Sequence, residues 1–190
     1  MLIRKDDPDS IDVVVENLRN RDVVIIPSDT IYGFSGLAPW TEDSIKNIKG
    51  RDENKPFIQL ISEPDDIFKF TDIEIPKKLL SYWPGPVTLI VPLKDDPSKS
   101  IGFRCPDDDW LRQIISKAGF PIYSTSVNYS GSPAISEIDE IISEFESQVA
   151  CIVDDGDRKN SKPSTIVIMG EKGISVLRQG DVKIDVEKLS

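Results

Sequence analysis

The order of hydrophobic and polar positions along the chain predicts alternating helices and strands. Apolar residues of the segment 10–20 recur at i, i+3, i+4 and i+7 behind Ser10, and this spacing is typical of an amphipathic helix. The segment 23–26 consists of four β-branched residues before Pro27, and such a run is typical of a buried strand. The same patterns predict helices at 41–50, 64–70, 76–82, 108–118 and 136–147, and strands at 57–61, 87–93, 101–104, 121–125, 150–153, 164–169 and 174–177.

Strands that alternate with helices predict an α/β fold, in which helices pack on a partly parallel sheet. The sequence contains no internal repeat, low-complexity tract or convincing linker, so we expect residues 1–190 to form a single domain. The segment 154–163, which contains Gly156, Asn160 and Ser161, predicts a loop.

The composition is that of an ordinary globular protein, with 38 % hydrophobic and 29 % charged residues in a chain of 190. No apolar run approaches the roughly 20 residues of a membrane span, and the first residues lack the apolar stretch of a signal peptide. We therefore expect a cytoplasmic protein without a membrane partner. In a reducing compartment, Cys105 and Cys151 are expected to be buried thiols rather than a disulfide.

Charge and the absence of histidine narrow the possible functions. The chain carries 23 basic and 33 acidic residues, for a net charge of −10. This charge argues against a surface-wide grip on nucleic acid, but it is compatible with a local basic pocket. A sequence without histidine excludes a Ser-His-Asp triad, a Cys-His pair and the common zinc sites. If the protein is an enzyme, its chemistry must depend mainly on positioning and charge.

Three polar segments follow predicted strands, at 28–33, 124–131 and 154–157. They contain small hydroxyls, an amide and glycines, which let backbone N–H groups surround an anion closely. Ligands of α/β sheets usually lie beyond the carboxyl ends of strands, so we expect a ligand pocket there. The alternative is that each segment is only a turn, because Ser, Asn, Asp and Gly favour turns.

Cations concentrate in the segment 46–55, where four basic residues accompany two acidic ones. Lys49 and Arg51 flank Gly50 at a predicted helix end, where they could bind phosphate or simply stabilise the helix terminus. Further cationic candidates are Lys55, Arg104 and Arg178. Neither a P-loop nor a Rossmann glycine motif is present, so these residues alone indicate an anion-binding α/β protein.

Several blocks of the sequence together carry a family resemblance. They are Pro27-Ser28-Asp29-Thr30-Ile31-Tyr32-Gly33, Lys49-Gly50-Arg51 with Lys55-Pro56, Trp83-Pro84-Gly85-Pro86-Val87-Thr88, Arg104-Cys105-Pro106, Ser124-Thr125-Ser126-Val127-Asn128, Pro163-Ser164-Thr165-Ile166-Val167 and Arg178-Gln179-Gly180. Each block is weak alone, but their order over nearly the whole length argues against a chance match. The chain resembles the YrdC-like threonylcarbamoyl-AMP synthases, in their short form without a further C-terminal domain.

The resemblance implies a twisted mixed sheet flanked by helices, with a concave basic pocket. It also implies the L-threonylcarbamoyladenylate synthase reaction, in which threonine and bicarbonate form a carbamate that attacks the α-phosphate of ATP and displaces pyrophosphate. A tRNA-modifying transferase then uses threonylcarbamoyl-AMP to modify the adenosine next to the anticodon of certain tRNAs. Because the carbamate is already an anion, the adenylylation step needs no histidine.

Site residues are implied by the same resemblance. The implied catalytic group is Lys49, Arg51, Ser126 and Asn128. The implied threonine contacts are Thr30, Arg104, Ser126 and Ser164. The implied ATP contacts are Lys49, Arg51, Lys55, Asn128, Ser136 and Arg178. Magnesium is expected to accompany ATP as a substrate, without an assigned protein ligand.

The chain departs from the family pattern at a few positions. Ser28 stands where threonine is usual and keeps the hydroxyl, whereas Val127 replaces a usual alanine and is expected to add bulk beside the pocket. One alternative function is a double-stranded RNA- or tRNA-binding module without catalysis, and direct RNA contact stays open. Another is a carbamoyl-phosphate-dependent relative, which would be a much longer chain with cysteine-rich segments.

Overall fold

The computed structural model describes residues 1–50, 56–159, 162–170 and 173–189. Its α-helices are α1 (Ser10–Arg19), α2 (Glu42–Lys49), α3 (Lys77–Leu80), α4 (Asp109–Ala118) and α5 (Ile138–Phe145). Its strands are β1 (Leu2–Arg4), β2 (Val24–Ile26), β3 (Gly33–Leu37), β4 (Ile58–Leu60), β5 (Val87–Pro92), β6 (Ser100–Arg104), β7 (Ile122–Ser126), β8 (Cys151–Asp154), β9 (Thr165–Gly170) and β10 (Gly173–Arg178). Two 3₁₀ helices, Pro64–Lys69 and Val186–Lys188, complete the described secondary structure.

All ten described strands join one sheet, in the order β1-β8-β2-β3-β7-β4-β6-β5-β9-β10. The parallel pairs are β1–β8, β2–β8, β4–β6 and β5–β9, and the other neighbours are antiparallel. The predicted α/β fold with a mixed sheet is therefore confirmed. Among the described residues, no helix combines the length and the hydrophobicity of a membrane span.

The predicted helices and strands all occur, with ends that differ by a few residues. The segments 64–70 and 76–82 form less helix than predicted, since they contain a 3₁₀ helix and a single α-helical turn. Helix α2 ends at Gly50, whose φ of 60° is the left-handed conformation that glycine adopts readily. The loop predicted at 154–163 is confirmed for residues 155–159 and 162–163, the part that the structure describes after β8.

Strands β1 and β3 were missing from the sequence prediction. β1 has only three residues, and β3 has the sequence Gly-Phe-Ser-Gly-Leu, without a β-branched side chain. Glycine is depleted in strands because it has no side chain to pack, so the pattern gives no strand signal there. The neighbours decide instead, because β3 lies between β2 and β7 and pairs antiparallel with both.

Helices cover one face of the sheet in two places. Toward β2, β3 and β7, apolar side chains of α2 and α5 form a cluster with strand residues such as Phe34 and Tyr123. Toward β5 and β9, α3 and the 3₁₀ helices pack on Leu89 and Phe103. Tyr123 and Phe103 lie on the same face, because both are ladder partners of Gln59.

The opposite face is covered in part. Helices α1 and α4 pack there on residues such as Val24 and Ile122 and form a third buried cluster. The same face continues onto β4, β6, β5 and β9, since Leu60 of β4 pairs with both Ile122 and Arg104. Over this second half, the described helices leave the sheet open, and a cavity lies there. The uneven cover positions the candidate site.

Strand β3 and the start of α2 approach each other closely. A Cβ atom at Gly36 would lie 2.3 Å from Thr41 Oγ1 and 2.8 Å from Thr41 Cβ. Thr41 is fully buried, and its hydroxyl donates to the carbonyl of Leu37 at 3.0 Å, so its side chain has little room to move aside. Gly36 therefore allows the first turn of α2 to lie against β3.

We expect Gly36→Ala to lower the free energy of unfolding by about 2 kcal/mol, because overpacking a dense core typically costs ~1–3 kcal/mol. Urea unfolding measures the difference. Gly170→Ala is the matched control, because no atom lies within 4 Å of a Cβ built at that strand residue. Equal stability of the two variants would contradict the close approach.

Both cysteines are free and buried, as predicted. Burial raises the pKa of the Cys105 thiol to about 12, and burial also raises the pKa of Cys151. The thiolate is the reactive form of cysteine. We therefore expect neither thiol of the folded protein to react with dithionitrobenzoate at mildly alkaline pH, whereas both react in urea. Rapid labelling of either thiol in the folded protein would show that its burial is wrong.

Candidate active site on the open sheet face

A cavity of about 500 Å³ lies on the open half of the sheet face. Its floor consists of alternate residues along neighbouring strands, which point to one face because side chains alternate along a strand. The floor residues are Thr88 and Ile90 of β5, Gly102 and Arg104 of β6, Ser124 and Ser126 of β7, and Ile166 of β9. Residues of the segment 28–32, together with Pro56 and Phe57, also line the cavity.

This position agrees only in part with the expected pocket beyond the carboxyl ends of the strands, because the segments 28–33 and 124–131 contribute lining residues and the segment 154–157 does not within the described chain. The carboxyl ends of β2, β7 and β8 do meet at one edge, because these strands run in the same direction. However, Thr30, which follows β2, contacts Arg104 at the carboxyl end of β6, a strand that runs the opposite way. The segment after β2 therefore extends over the sheet, and the site lies across the face.

The lining is rich in hydroxyl groups and contains cations. The lining residues with hydroxyl side chains are Ser28, Thr30, Tyr32, Thr88, Ser100, Ser124, Thr125, Ser126 and Ser164, although the Tyr32 hydroxyl itself is directed to Gly156 and Asp155. Among the described lining residues, Arg104 and Arg178 are the charged ones, and no carboxylate is present. In a chain with a net charge of −10, the described lining therefore combines two cations with no carboxylate.

Arg104 is a buried cation held by partners from separate segments, with 5 % of its surface exposed. Its Nη1 donates to Thr30 Oγ1 at 2.9 Å, and its Nε donates to the carbonyl of Gly85 at 3.3 Å. Its Nη2 forms a short ion pair with the carboxylate of Asp29. Burial lowers the pKa of the Arg104 guanidinium, and the carboxylate of Asp29 opposes that shift.

Ser164 contacts side chains of β5 and β10 beside the cavity. Its hydroxyl lies 2.8 Å from Thr88 Oγ1 of β5, and both side chains are buried. Arg178, at the end of β10, donates from Nε and Nη2 to the carbonyl of Ser164 at 3.0 and 2.9 Å. Burial lowers the pKa of Arg178. These contacts place the Arg178 guanidinium at the rim of the cavity, beside the hydroxyl pair.

Lys49 lies at the last turn of α2, and its ammonium is enclosed rather than exposed on the cavity lining. The residue is 3 % exposed. Its Nζ donates to the carbonyl of Ser126 at 2.5 Å, to the carbonyl of Asn128 at 3.1 Å and to Asn128 Oδ1 at 3.0 Å. The ammonium also lies 5.4 Å from the centre of the Phe34 ring. Lys49 therefore fastens α2 to the segment that follows β7.

Asn128, like Lys49, stabilises the turn after β7. Its Oδ1 accepts from Ser126 Oγ at 2.5 Å, and its Nδ2 donates to the carbonyls of Tyr129 and Ser132 at 2.8 and 2.9 Å. The structure thus brings together Lys49, Ser126 and Asn128, three of the four residues of the predicted catalytic group. Of the three, Ser126 lines the cavity directly.

The other predicted site residues lie in the cavity lining, near it, or outside the described residues. Arg51 and Lys55 lie outside the described residues. Ser136 follows Ala134, which lines the cavity, and the carbonyl of Ser136 accepts from the backbone N–H of Arg158 at 2.8 Å. Thr30, Arg104, Ser164 and Arg178 all line the cavity.

Val127 does not add bulk beside the pocket, contrary to the sequence prediction. It is fully buried and packs on the far side of the sheet with residues such as Phe34 and Phe145. Side chains alternate along the backbone, so the residue between Ser126 and Asn128 points away from the cavity. The hydroxyl of Ser28, by contrast, lies 3.0 Å from Thr30 Oγ1 at the cavity wall.

Tyr32 links two of the three polar segments. Its hydroxyl donates to the carbonyl of Gly156 at 2.9 Å and accepts from the backbone N–H of Asp155 at 2.8 Å. Burial raises the pKa of this phenol. Asp157, two residues on, accepts from the N–H of Ile138 at the start of α5 at 3.0 Å. The segment 154–157 therefore stabilises Tyr32 and the start of α5, but it does not line the cavity within the described chain.

Sequence reasoning missed two residues of this site, Asp29 and Thr88. Both belong to blocks that carried the family resemblance, but nothing in the pattern showed that Asp29 would face Arg104 or that Thr88 would face Ser164. Each pair is separated by more than 70 positions in the chain. A charged or hydroxyl residue inside an ordered motif is the signal that could have pointed to them.

Comparison with known proteins identifies the family that this sequence and fold resemble. The family model Sua5_yciO_yrdC, described as telomere recombination, matches residues 16–180. The sequence is 33 % identical over 179 residues to a Methanocaldococcus jannaschii protein provisionally named a threonylcarbamoyl-AMP synthase, covering 89 % of this chain and 84 % of that protein. It is 31 % identical over 182 residues to the threonylcarbamoyl-AMP synthase of Bacillus subtilis, covering 87 % of this chain. The chain spans about half of that longer relative, 51 % of its length.

Among solved structures, P. abyssi Sua5 complexed with L-threonine has the same fold. Its TM-score is 0.82 at 24 % sequence identity, with 95 % of this chain and 57 % of that chain covered. The match of the family model and the identity to the archaeal relative agree with the ordered blocks of the sequence. This chain therefore belongs to the Sua5/YciO/YrdC family.

Proposed function

We propose that the protein is an L-threonylcarbamoyladenylate synthase, which converts ATP, L-threonine and bicarbonate to threonylcarbamoyl-AMP and pyrophosphate. The observation that carries the proposal is the cavity, whose described lining has two arginines, many hydroxyls and no carboxylate. Its volume of about 500 Å³ is within the range of small-molecule sites. The names of two family relatives support the same activity.

The chemistry suits a protein without histidine. The amine of threonine adds to bicarbonate with loss of water and forms a carbamate. A carbamate oxygen then forms a bond to the α-phosphorus of ATP, and the bond from that phosphorus to the bridging oxygen of pyrophosphate breaks. The attacking group is already an anion, so this step requires alignment of two anions and compensation of charge rather than a general base.

The threonine half of the site would lie around Arg104 and Thr30. Arginine offers a planar fork of N–H bonds that matches a carboxylate, and Thr30 holds the fork at the cavity wall. Ser126 and Ser164 line the same cavity and would contribute hydroxyls to the remaining polar groups of the amino acid. We propose that these four residues bind threonine.

The ATP half would involve the remaining predicted cations and polar side chains. We propose that Arg51, Lys55 and Arg178 compensate phosphate charge, and that Ser136 and Asn128 contribute further contacts to ATP. Lys49 would stabilise the turn that carries Ser126 and Asn128 and would add positive charge beneath it. We expect Mg²⁺ to enter with ATP, because magnesium bound by phosphate oxygens needs few protein ligands.

The product is a reactive mixed anhydride, so we propose that it passes to a tRNA-modifying transferase in the cytoplasm, where ATP and tRNA occur. RNA binding without catalysis is the alternative function. No observation in the described part of the chain favours it, because the lining of the cavity suits a small anion and the chain is strongly acidic.

We expect the purified protein to release pyrophosphate from ATP when threonine, bicarbonate and Mg²⁺ are all present. Omission of threonine should abolish the release, because no carbamate forms and no other nucleophile is aligned with the α-phosphate. A coupled assay for pyrophosphate measures the rate. Release that is equal with and without threonine, or that never occurs, would refute the proposed function and would leave RNA binding as the next function to test.

We expect Lys49→Met to lower the rate of pyrophosphate release by about 10²-fold or more, the usual loss when a preorganised charge is removed from an active site. The variant removes the ammonium that three oxygens around Ser126 and Asn128 share. Lys46→Met is the matched control on the same helix, because Lys46 forms a surface ion pair with Glu42. Melting temperatures verify that both variants fold, and equal activity of the two would exclude a role for Lys49.

A further inference from the structure

Asp29 pairs with Arg104 but does not itself line the cavity. Thr30 and Arg104 line the cavity, whereas Asp29 is not among the described lining residues. The side chains of Arg104 and Asp29 are 7 % and 11 % exposed, so the ion pair is almost enclosed. Exposed ion pairs contribute little, but an enclosed pair fixes the geometry of both partners.

The guanidinium has N–H bonds left for a ligand. Arginine carries five N–H bonds in a rigid plane. One bond each from Nε, Nη1 and Nη2 is directed to Gly85, Thr30 and Asp29. The two remaining bonds belong to Nη1 and Nη2, so a ligand carboxylate can accept from this guanidinium. The directions of these bonds depend on the three partners that hold the plane.

Asp29 is itself held at two points. Its Oδ1 accepts from Arg104, and its Oδ2 accepts from the backbone N–H of Asp107 at 3.1 Å. Asp107 follows β6 by three positions, so the carboxylate fastens the segment after β2 to the segment after β6. A carboxylate has two acceptor oxygens for these two donors, whereas an asparagine side chain has one.

A simpler role for Asp29 would be to neutralise a buried cation. That role and a positioning role predict opposite effects on an anionic ligand. If Asp29 only neutralises Arg104, its removal leaves an uncompensated cation, and a carboxylate ligand binds more tightly. If Asp29 sets the direction of the Arg104 guanidinium, its removal weakens the binding of a carboxylate although the net charge of the site becomes more positive.

We propose that Asp29 is a positioning residue, which orients the Arg104 guanidinium so that its remaining N–H bonds receive the carboxylate of threonine. The inference rests on the proposed function and adds a residue to it. The two-point attachment of Asp29 is the observation that favours positioning, because neutralisation alone needs no bond to the backbone of Asp107. Substitutions at Asp29 should affect threonine and leave ATP almost unchanged.

The test is calorimetric titration of L-threonine into the wild-type protein and into Asp29→Asn, Asp29→Ala and Asp29→Glu, with KM values for threonine and ATP from pyrophosphate release. We expect Asp29→Asn to weaken threonine binding roughly tenfold, the size of one lost hydrogen bond to a charged group. Asp29→Ala should weaken it at least as much, and Asp29→Glu, which keeps both acceptor oxygens, should remain closest to the wild type. The KM for ATP should change by less than about threefold.

The control is Asp12→Asn, because Asp12 is an exposed carboxylate that pairs with Lys117 on the surface. Melting temperatures establish which variants are folded, and the Asn and Glu variants decide the question if the Ala variant does not fold. Folded Asp29→Asn protein that binds threonine as tightly as the wild type, or more tightly, would overturn the positioning role while the synthase activity stands. A wild-type protein that neither binds threonine nor releases pyrophosphate in its presence would overturn the proposed function and, with it, this inference.

Discussion

The site depends on a sheet whose two faces are covered unequally. Parallel strands usually carry helices on both faces and therefore have apolar side chains on both. In β5 and β6 the covered face has Leu89 and Phe103, and the open face has Thr88 and Arg104. Thr88 and Arg104 share the open face with apolar residues such as Ile90 and Ile166, so this face can contact both charged and apolar parts of a ligand. The cavity forms where helices do not cover this mixed face.

Two buried cations give the cavity its rigid geometry. A buried charge is costly unless hydrogen bonds compensate it, so each cation requires fixed partners. Arg104 obtains them from two separate segments, through the adjacent Asp29 and Thr30 and through Gly85. Lys49 obtains them from the turn after β7. The compensation that allows each charge to be buried also holds it in place before a ligand arrives, and such preorganisation is what electrostatic catalysis requires.

Much of the secondary structure could be predicted from the chain, and the exceptions have physical causes. Helices such as α1 and α4 follow from apolar spacing, and the strands rich in Val and Ile follow from their buried runs. Strand β3 could not be predicted, because its glycines pack through their backbone against β7 and against Thr41, and no local signal records those neighbours. Val127 shows the same limit at the site, because only the placement of a strand in the sheet decides which of two adjacent side chains lies on the cavity face.

The sequence by itself determined the family, because ordered motifs are local properties of the chain. It also predicted an anionic ligand from cations near glycines, and chemistry by positioning from the absence of histidine. The tertiary structure decided where the ligand site lies and which residues share it. Lys49 and Asn128 are 79 positions apart, and Asp29 and Arg104 are 75 apart. Only the packing of α2 and the crossing of the segment after β2 bring them into contact. Such pairs form when apolar surface is buried over the whole sheet, and local propensity contains no information about them.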